Sequence, residues 1–277
     1  MSGSGSDLEQ ELVDKRFDVE STYWRDVYQR KDIFGFIYRQ RQVVALSFIE
    51  ELSLPKTARV LEIGCGAGFM SIALARRGFT VEAVDHASAM VELTQLHARQ
   101  AGVDNQIHTA IEDAHKLTFE DCSFDLVVAL GLVAWLHDLG KALIEIARVL
   151  TRDGNAVLNM YSRNRANARV DFPIVLREMV QDRLEKAGLR NQPQPSVARG
   201  QSYSIKEFNH YLHDVSLVNM KDASVGFGPF KLFNHDIFSD KTGVKIHQKL
   251  QKHADNCYPI FRLWGSQYVI LTRKRGQ

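Results

Sequence analysis

Three glycines stand at alternate positions in VLEIGCGAGF: Gly64, Gly66 and Gly68. A residue without a Cβ lets a ligand come close to the backbone. If a helix starts near Phe69, its first N–H groups have no partner inside the helix and point at whatever binds there. That chemistry suits a nucleotide-like ligand. A phosphate loop of the GxxxxGK[ST] kind needs Lys followed by Ser or Thr, and this loop has neither. A dinucleotide loop needs G-x-G-x-x-G. Here the third glycine comes one residue early, which disfavours a nicotinamide or flavin. Taken alone, the glycines could equally make a tight turn. Glu62 precedes them, and Asp85, Glu112 and Asp113 follow at the ends of later apolar runs.

Other reactive side chains point to simpler roles. Cys65, inside the loop, reads as a small packing residue. With Cys122 and Cys257 it forms no C-x-x-C pair, so no zinc site or disulfide framework is expected, and a reducing, cytoplasmic setting fits. His210 and His213 lie three apart on one predicted helix but have no third ligand in reach, so no metal site is expected.

The elements that must hold these residues are legible from periodicity. The 277 residues suffice for one large domain, or one domain with a cap. A formal net charge of +2 is too mild to argue for nucleic acid or a membrane surface. The opening MSGSGS has no apolar run after it and is no signal peptide. No stretch approaches a membrane span. Residues 1–20 read as a flexible start, and 21–55 as a helical segment closed by Pro55. Short apolar strands are predicted at Arg59–Ile63, Thr80–Val84, Ile107–Ile111, Phe124–Leu130 and Ala156–Met160. Between them lie helices at Phe69–Arg77, from a cap at Ser88 to Ala101, and at Lys141–Leu150, the last followed by an Arg152-Asp153-Gly154 turn. This alternation implies a parallel sheet covered on both faces. Further on, a helix is predicted over Pro173–Ala187, another from Ser204, and strands at Leu217–Phe227 and Gln267–Thr272. The late strands complete the sheet, with insertions at about 162–204 and 229–263.

The segment from Glu62 resembles the first motif of the class I S-adenosylmethionine-dependent methyltransferases, E/D-x-G-x-G-x-G, and matches it in full. RVLTRDGNAVL is similar to that family's helix end, turn and fifth strand, with Asp153 and Asn155 where proline and a second glycine are usual. The resemblance implies a Rossmann-like fold with a mostly parallel seven-stranded sheet and a helical N-terminal lid. It implies S-adenosyl-L-methionine as methyl donor and S-adenosyl-L-homocysteine as product. Glu62, Gly64, Cys65, Gly66 and Gly68 become donor-loop residues. Asp85 becomes the acceptor of both ribose hydroxyls, with His86 and Met90 along the ribose or adenine edge. Glu112, Asp113 and Ala114 follow the third strand, and Asp113 is the better match for the acid that meets the adenine amino group. Leu130 and Gly131 follow the fourth strand. His137, in AWLHD, stands where many small-molecule members carry a histidine and is the base candidate; a capping or packing histidine is the alternative.

The acceptor is less legible. Tyr23, Trp24, Tyr28 and Tyr38 are candidates in the lid, and Arg163 and Arg165, with Arg169, can hold an acidic small molecule, hold phosphates, or form a solvated face. The segment after the fourth strand reads ALGLVAW, without the [DNS]-P-P-[YFW] motif of exocyclic-amine nucleic-acid enzymes or a cysteine. A small-molecule acceptor methylated at oxygen is therefore favoured over RNA, DNA or protein, over transfer to nitrogen or carbon, and over a non-catalytic binding protein of the same fold. The chain is expected to be a monomer or homodimer.

Overall fold

The computed structural model describes residues 26–28, 30–163, 200–228, 230–232, 235–256 and 259–276. Helix α1 (Ile33–Glu51) starts where the Asp32 side chain accepts from the Gly35 N–H at 2.9 Å. Its buried face carries Ile37, Tyr38, Arg41, Ala45, Phe48 and Ile49, the spacing of one helical side. Then strands and helices alternate: β1 (Arg59–Ile63), α2 (Phe69–Ala75), β2 (Thr80–Asp85), α3 (Ser88–Ala101), β3 (Ile107–Ile111), β4 (Phe124–Ala129), α4 (Leu139–Val149) and β5 (Leu150–Ser162).

Two local expectations are corrected. Ser88 does not cap α3; it is the first helical residue, and Ala87 occupies the cap position without a side-chain bond. Asp85 supplies the acceptor instead, taking the Ala87 N–H at 3.1 Å. Nor does the fifth strand wait for Ala156. It begins at Leu150, and the Arg152–Gly154 turn is a bulge within it, with Asp153 at φ 59°. Phe124 pairs with Leu150 but Leu126 pairs with Asn155, so the extra residues are looped out without losing the parallel register beyond them.

The second half adds β6 (Ser202–Tyr203), α5 (Ile205–Asp214), β7 (Leu217–Val225), a small hairpin of β8 (Lys231–Leu232) and β9 (His235–Asp236), α6 (Asp240–Asp255), α7 (Pro259–Trp264) and β10 (Gln267–Lys274). Ser204 and Glu207 form a reciprocal capping box on α5. The helix predicted over Pro173–Ala187 lies outside the described residues.

The main sheet runs β3-β2-β1-β4-β5-β10-β7, with β6 paired to the end of β5. Strands β1 to β5 are mutually parallel, and β10 is antiparallel to both its neighbours. The sheet is the expected mostly parallel, Rossmann-like one, with β6 as an eighth strand. Alternate residues feed two cores. Leu61, Ile63 and Val127 face α4 and α5, where Leu143, Ile146 and Phe208 are buried. Val60, Leu126 and Val128 face α1 to α3 on the other side, with Phe48, Leu74 and Ala98. Chain order reverses between β1 and β4, so a crevice opens beyond their carboxyl ends.

Helix α6 seals the point where β7 leaves the sheet. Gln251 accepts from the Gly226 N–H at 3.1 Å and donates to the Ser224 carbonyl at 3.0 Å, and His247 Nδ1 accepts from the Phe227 N–H at 3.1 Å. Backbone groups that lose their strand partner are thus satisfied by side chains. Burial holds the His247 imidazole below its usual pKa, consistent with its accepting role. Among the described residues no helix is long and apolar enough to cross a membrane.

Candidate active site

The crevice is a cavity enclosing roughly 1100 Å³ of space, open mouth included. One wall is the glycine loop between β1 and α2. Gly64, Gly66 and Gly68 all have positive φ, at 73°, 54° and 77°. A Cβ on Gly66 would meet nothing within 4 Å and would stand in the cavity, so glycine there leaves space for a ligand. A Cβ on Gly68 would instead lie 2.9 Å from the Thr94 side chain of α3. Gly68 is accordingly a packing glycine behind the wall, while Glu62, Gly64, Cys65 and Gly66 line it. The Cys65 thiol is buried and its pKa is pushed well up by burial, which suits the packing role.

The ends of β2 and β3 make the adjoining wall. Asp85 accepts from the Gly66 N–H at 2.9 Å through Oδ2, so the carboxylate ties the loop to β2. With the bond from Ala87, each oxygen takes a backbone N–H. His86, Met90, Glu112, Asp113 and Ala114 also line the cavity. The Glu112 carboxylate is turned to Thr118, accepting from its N–H at 3.1 Å and from its hydroxyl. Asp113 accepts from the His115 N–H at 2.9 Å and from the His115 ring at 2.7 Å. Burial works against the charged form, but these bonds prevail and hold its carboxyl below the usual range.

Leu130, Gly131, Leu132, Trp135 and Leu136 form the third wall, after β4. Asn159 accepts from the Gly131 N–H and donates to Gln267 of β10 at 3.0 Å. His137 is not in the wall: its ring packs on that of His115, 3.8 Å between centroids. Burial and the neighbouring His115 hold the His137 pKa below the usual imidazole value.

The fourth wall was not fully legible in sequence. Tyr28 and Tyr38 line it as candidates, and Phe69, Tyr161 and Arg41 join them. Arg41 is buried, at 4% exposure. Its Nη2 donates to the Tyr28 hydroxyl at 3.2 Å and its guanidinium lies over the Tyr38 ring at 4.7 Å. Among the described residues Nε and Nη1 have no hydrogen-bond partner. A guanidinium is always charged and carries five N–H donors, so two unmet donor atoms in a cavity wall mark an anion site. The sequence signal was an arginine on the apolar stripe of α1. Glu62 stands nearby, buried, accepting from the Ser71 hydroxyl, its pKa pushed up to about 8 by burial.

Of the remaining site candidates, Arg163 alone lies among the described residues. Arg163 is half exposed and pairs with Glu207 at 2.9 Å and the Ser202 carbonyl at 3.0 Å, outside the wall. Tyr23, Trp24 and Arg165 lie outside the described residues. His210 and His213 are exposed beside Asp214, and among the described residues no cluster could hold a metal ion.

A crevice at the switch point of a parallel sheet, with acids at successive strand ends, is where open α/β sheets bind their ligands. Residues 61–158 match a family model described as "Methyltransferase domain". The chain is 25% identical over 164 residues to a ubiquinone biosynthesis O-methyltransferase of Coxiella burnetii (strain Dugway 5J108-111), covering 59% of this chain and 67% of that protein. It is 31% identical over 120 residues to a protein of the same name from Hahella chejuensis (strain KCTC 2396), covering 43% and 50%. Among solved structures, the fold is shared with magnesium protoporphyrin IX methyltransferase from Synechocystis PCC 6803 with bound SAH, at TM-score 0.65 and 16% identity over 96% of this chain and 99% of that one. It is also shared with the [4+2]-cyclase SpnF, at TM-score 0.55 and 15% identity over 85% and 81%. Residues 61–158 are thus similar to a methyltransferase domain, and the fold is one shared with solved S-adenosylmethionine-dependent methyltransferases.

Proposed function

We propose that this chain is a cytoplasmic enzyme that moves a methyl group from S-adenosylmethionine to an oxygen of a small, largely apolar acceptor. The observation that carries it is the cavity itself: donor-type groups on three walls, and on the fourth an aromatic surface broken by one buried cation. In this reading Asp85 accepts from the ribose hydroxyls, and Asp113 accepts from the adenine amino group. Arg41 takes the donor's carboxylate on its unmet Nε and Nη1, and Glu62 faces the donor's ammonium end.

The acceptor lies against Tyr28, Tyr38, Trp135 and Tyr161. The Tyr38 and Tyr161 hydroxyls, 3.3 Å apart, give this surface a polar handle. The O-methyltransferase names of the two bacterial relatives support oxygen as the methylated atom. Arg163 stays with Glu207 and has no part in acceptor binding.

The donor brings its own leaving group, a sulfonium. What remains for the protein is to align acceptor oxygen, methyl and sulfur and to exclude water. A base is needed only for an acceptor that arrives protonated. His137 is the group for that task, reached through or beside the His115 ring, and its lowered pKa keeps it neutral and able to accept a proton near pH 7.

Calorimetry with S-adenosylhomocysteine, and assays for its release from the donor in the presence of phenols, enols and amines, test the reading. Binding, with release on a hydroxyl acceptor, is expected. Donor binding without release on any acceptor would overturn the reading and leave a donor-binding protein of this fold. Asp85→Ala should weaken donor binding by about 2 kcal/mol, the scale of hydrogen bonds to a charged acceptor; Gly66→Arg should abolish it. Unchanged affinity in both would remove the donor site. His137→Ala should slow turnover and leave donor affinity alone; an unaltered pH–rate profile would make it a packing residue.

A further inference from the structure

The imidazole of His115 lines the cavity and has a partner on each ring nitrogen. Its side chain is 6% exposed. Nδ1 lies 2.7 Å from Asp113 Oδ1, and Nε2 lies 3.4 Å from the Asp138 backbone nitrogen. An ionised carboxylate can only accept, and a backbone N–H can only donate. Asp113 is held in its ionised form, as described above. The two partners therefore select one state of the ring: neutral, with the proton on Nδ1 and a lone pair on Nε2. Asp138 is itself fixed, since its side chain caps α4 by accepting from the Lys141 N–H at 3.0 Å. On its open face His115 is covered by the His137 ring at 3.8 Å. His86, Asp138 and Lys141 are the other charged or titratable groups that bear on this cluster.

We propose that His115 is a positioning residue for donor recognition: it fixes the rotamer of Asp113 that meets the adenine amino group, and pins the loop after β4 to the end of β3. Oδ1 of the carboxylate takes two bonds from His115, the backbone N–H at 2.9 Å and the ring at 2.7 Å, and the ring bond is the one that a side-chain substitution removes. The second anchor, at Asp138, keeps the ring from rotating away with the carboxylate. His115 touches no reacting atom in this arrangement. The proposal rests on the adenine assignment of Asp113 made above.

A merely structural histidine and a positioning one differ in what they do to base recognition. The test compares S-adenosylhomocysteine with S-inosylhomocysteine, in which the amino group is replaced by an oxo group that cannot donate to Asp113. Wild-type protein should prefer the adenosyl ligand by on the order of tenfold or more, because a site built around a hydrogen bond rejects the ligand that lacks it. His115→Phe keeps the ring and its packing on His137 but offers no donor. It should bind the two ligands nearly equally. His115→Asn, whose amide can still donate to Asp113, should regain part of the preference.

A His115→Phe protein that weakens both ligands alike, with the preference intact, overturns the proposal and leaves a packing role. A wild-type protein with no preference overturns the adenine role of Asp113, and the positioning claim with it, while leaving the remaining donor contacts to be judged by affinity alone. If His115→Phe does not fold, the long-range nitrogen–proton NMR spectrum of the wild type decides. A proton on Nδ1 of His115 is expected, and one on Nε2 overturns the proposal.

Discussion

Glu62 is an acid that the fold keeps largely uncharged. Burial raises its pKa from 4.5 to about 8, against the Ser71 hydroxyl and Arg41, which favour the charged form. The folded state therefore holds a proton that the unfolded chain gives up. Its contribution to stability is complete below about pH 4.5 and is lost as pH rises towards 8. Glu62→Gln cannot titrate, yet its amide oxygen still accepts from Ser71. Thermal melts without ligand should fall for the wild type as pH is raised across that window, and fall less for Glu62→Gln. Parallel curves would show that Glu62 is charged throughout. Addition of donor should flatten the wild-type curve, since an ammonium beside Glu62 favours its charged form.

Elements differ in how openly the sequence announces them. The strands β1 to β4 and the helices between them were legible because each is a short apolar run or a one-sided stripe bounded by glycine or a charged turn. The donor acids Asp85 and Asp113 were legible for the same reason, as acids at strand ends. Arg41 and His115 were not, because what defines them is a neighbour distant in the chain: Tyr161 and Gly131 for one, Asp138 for the other. Ser88 and the start of β5 were misread where a side chain or a bulge from elsewhere took over the terminal hydrogen bonds. Helix α4 offers a direct test at this scale. Its cap is Asp138, whose carboxylate accepts from Lys141. Asp138→Ala should cost about 1 kcal/mol in denaturant unfolding. No loss would mean that water replaces the cap.

At the scale of the whole molecule, β10 stands between β5 and β7 in the sheet. It is buried along Gln267–Thr272 and pairs with both β5 and β7. Through Gln267 and Asn159 it reaches the Gly131 N–H of the cavity wall. A chain cut after Gly265 keeps the whole glycine loop and both donor acids. It should nevertheless lose cooperative unfolding and aggregate, because two strands are left with open edges. A soluble, cooperatively melting product would show that the parallel half is self-sufficient.

That placement of β10 has a consequence in time. Synthesis is vectorial, and β5 and β7 emerge well before their shared neighbour. Until Lys274 has cleared the ribosome, the nascent chain carries every residue of the donor loop but must keep two apolar strand edges from one another and from other chains. Closure of the sheet is thereby set by one late event, the insertion of a single antiparallel strand.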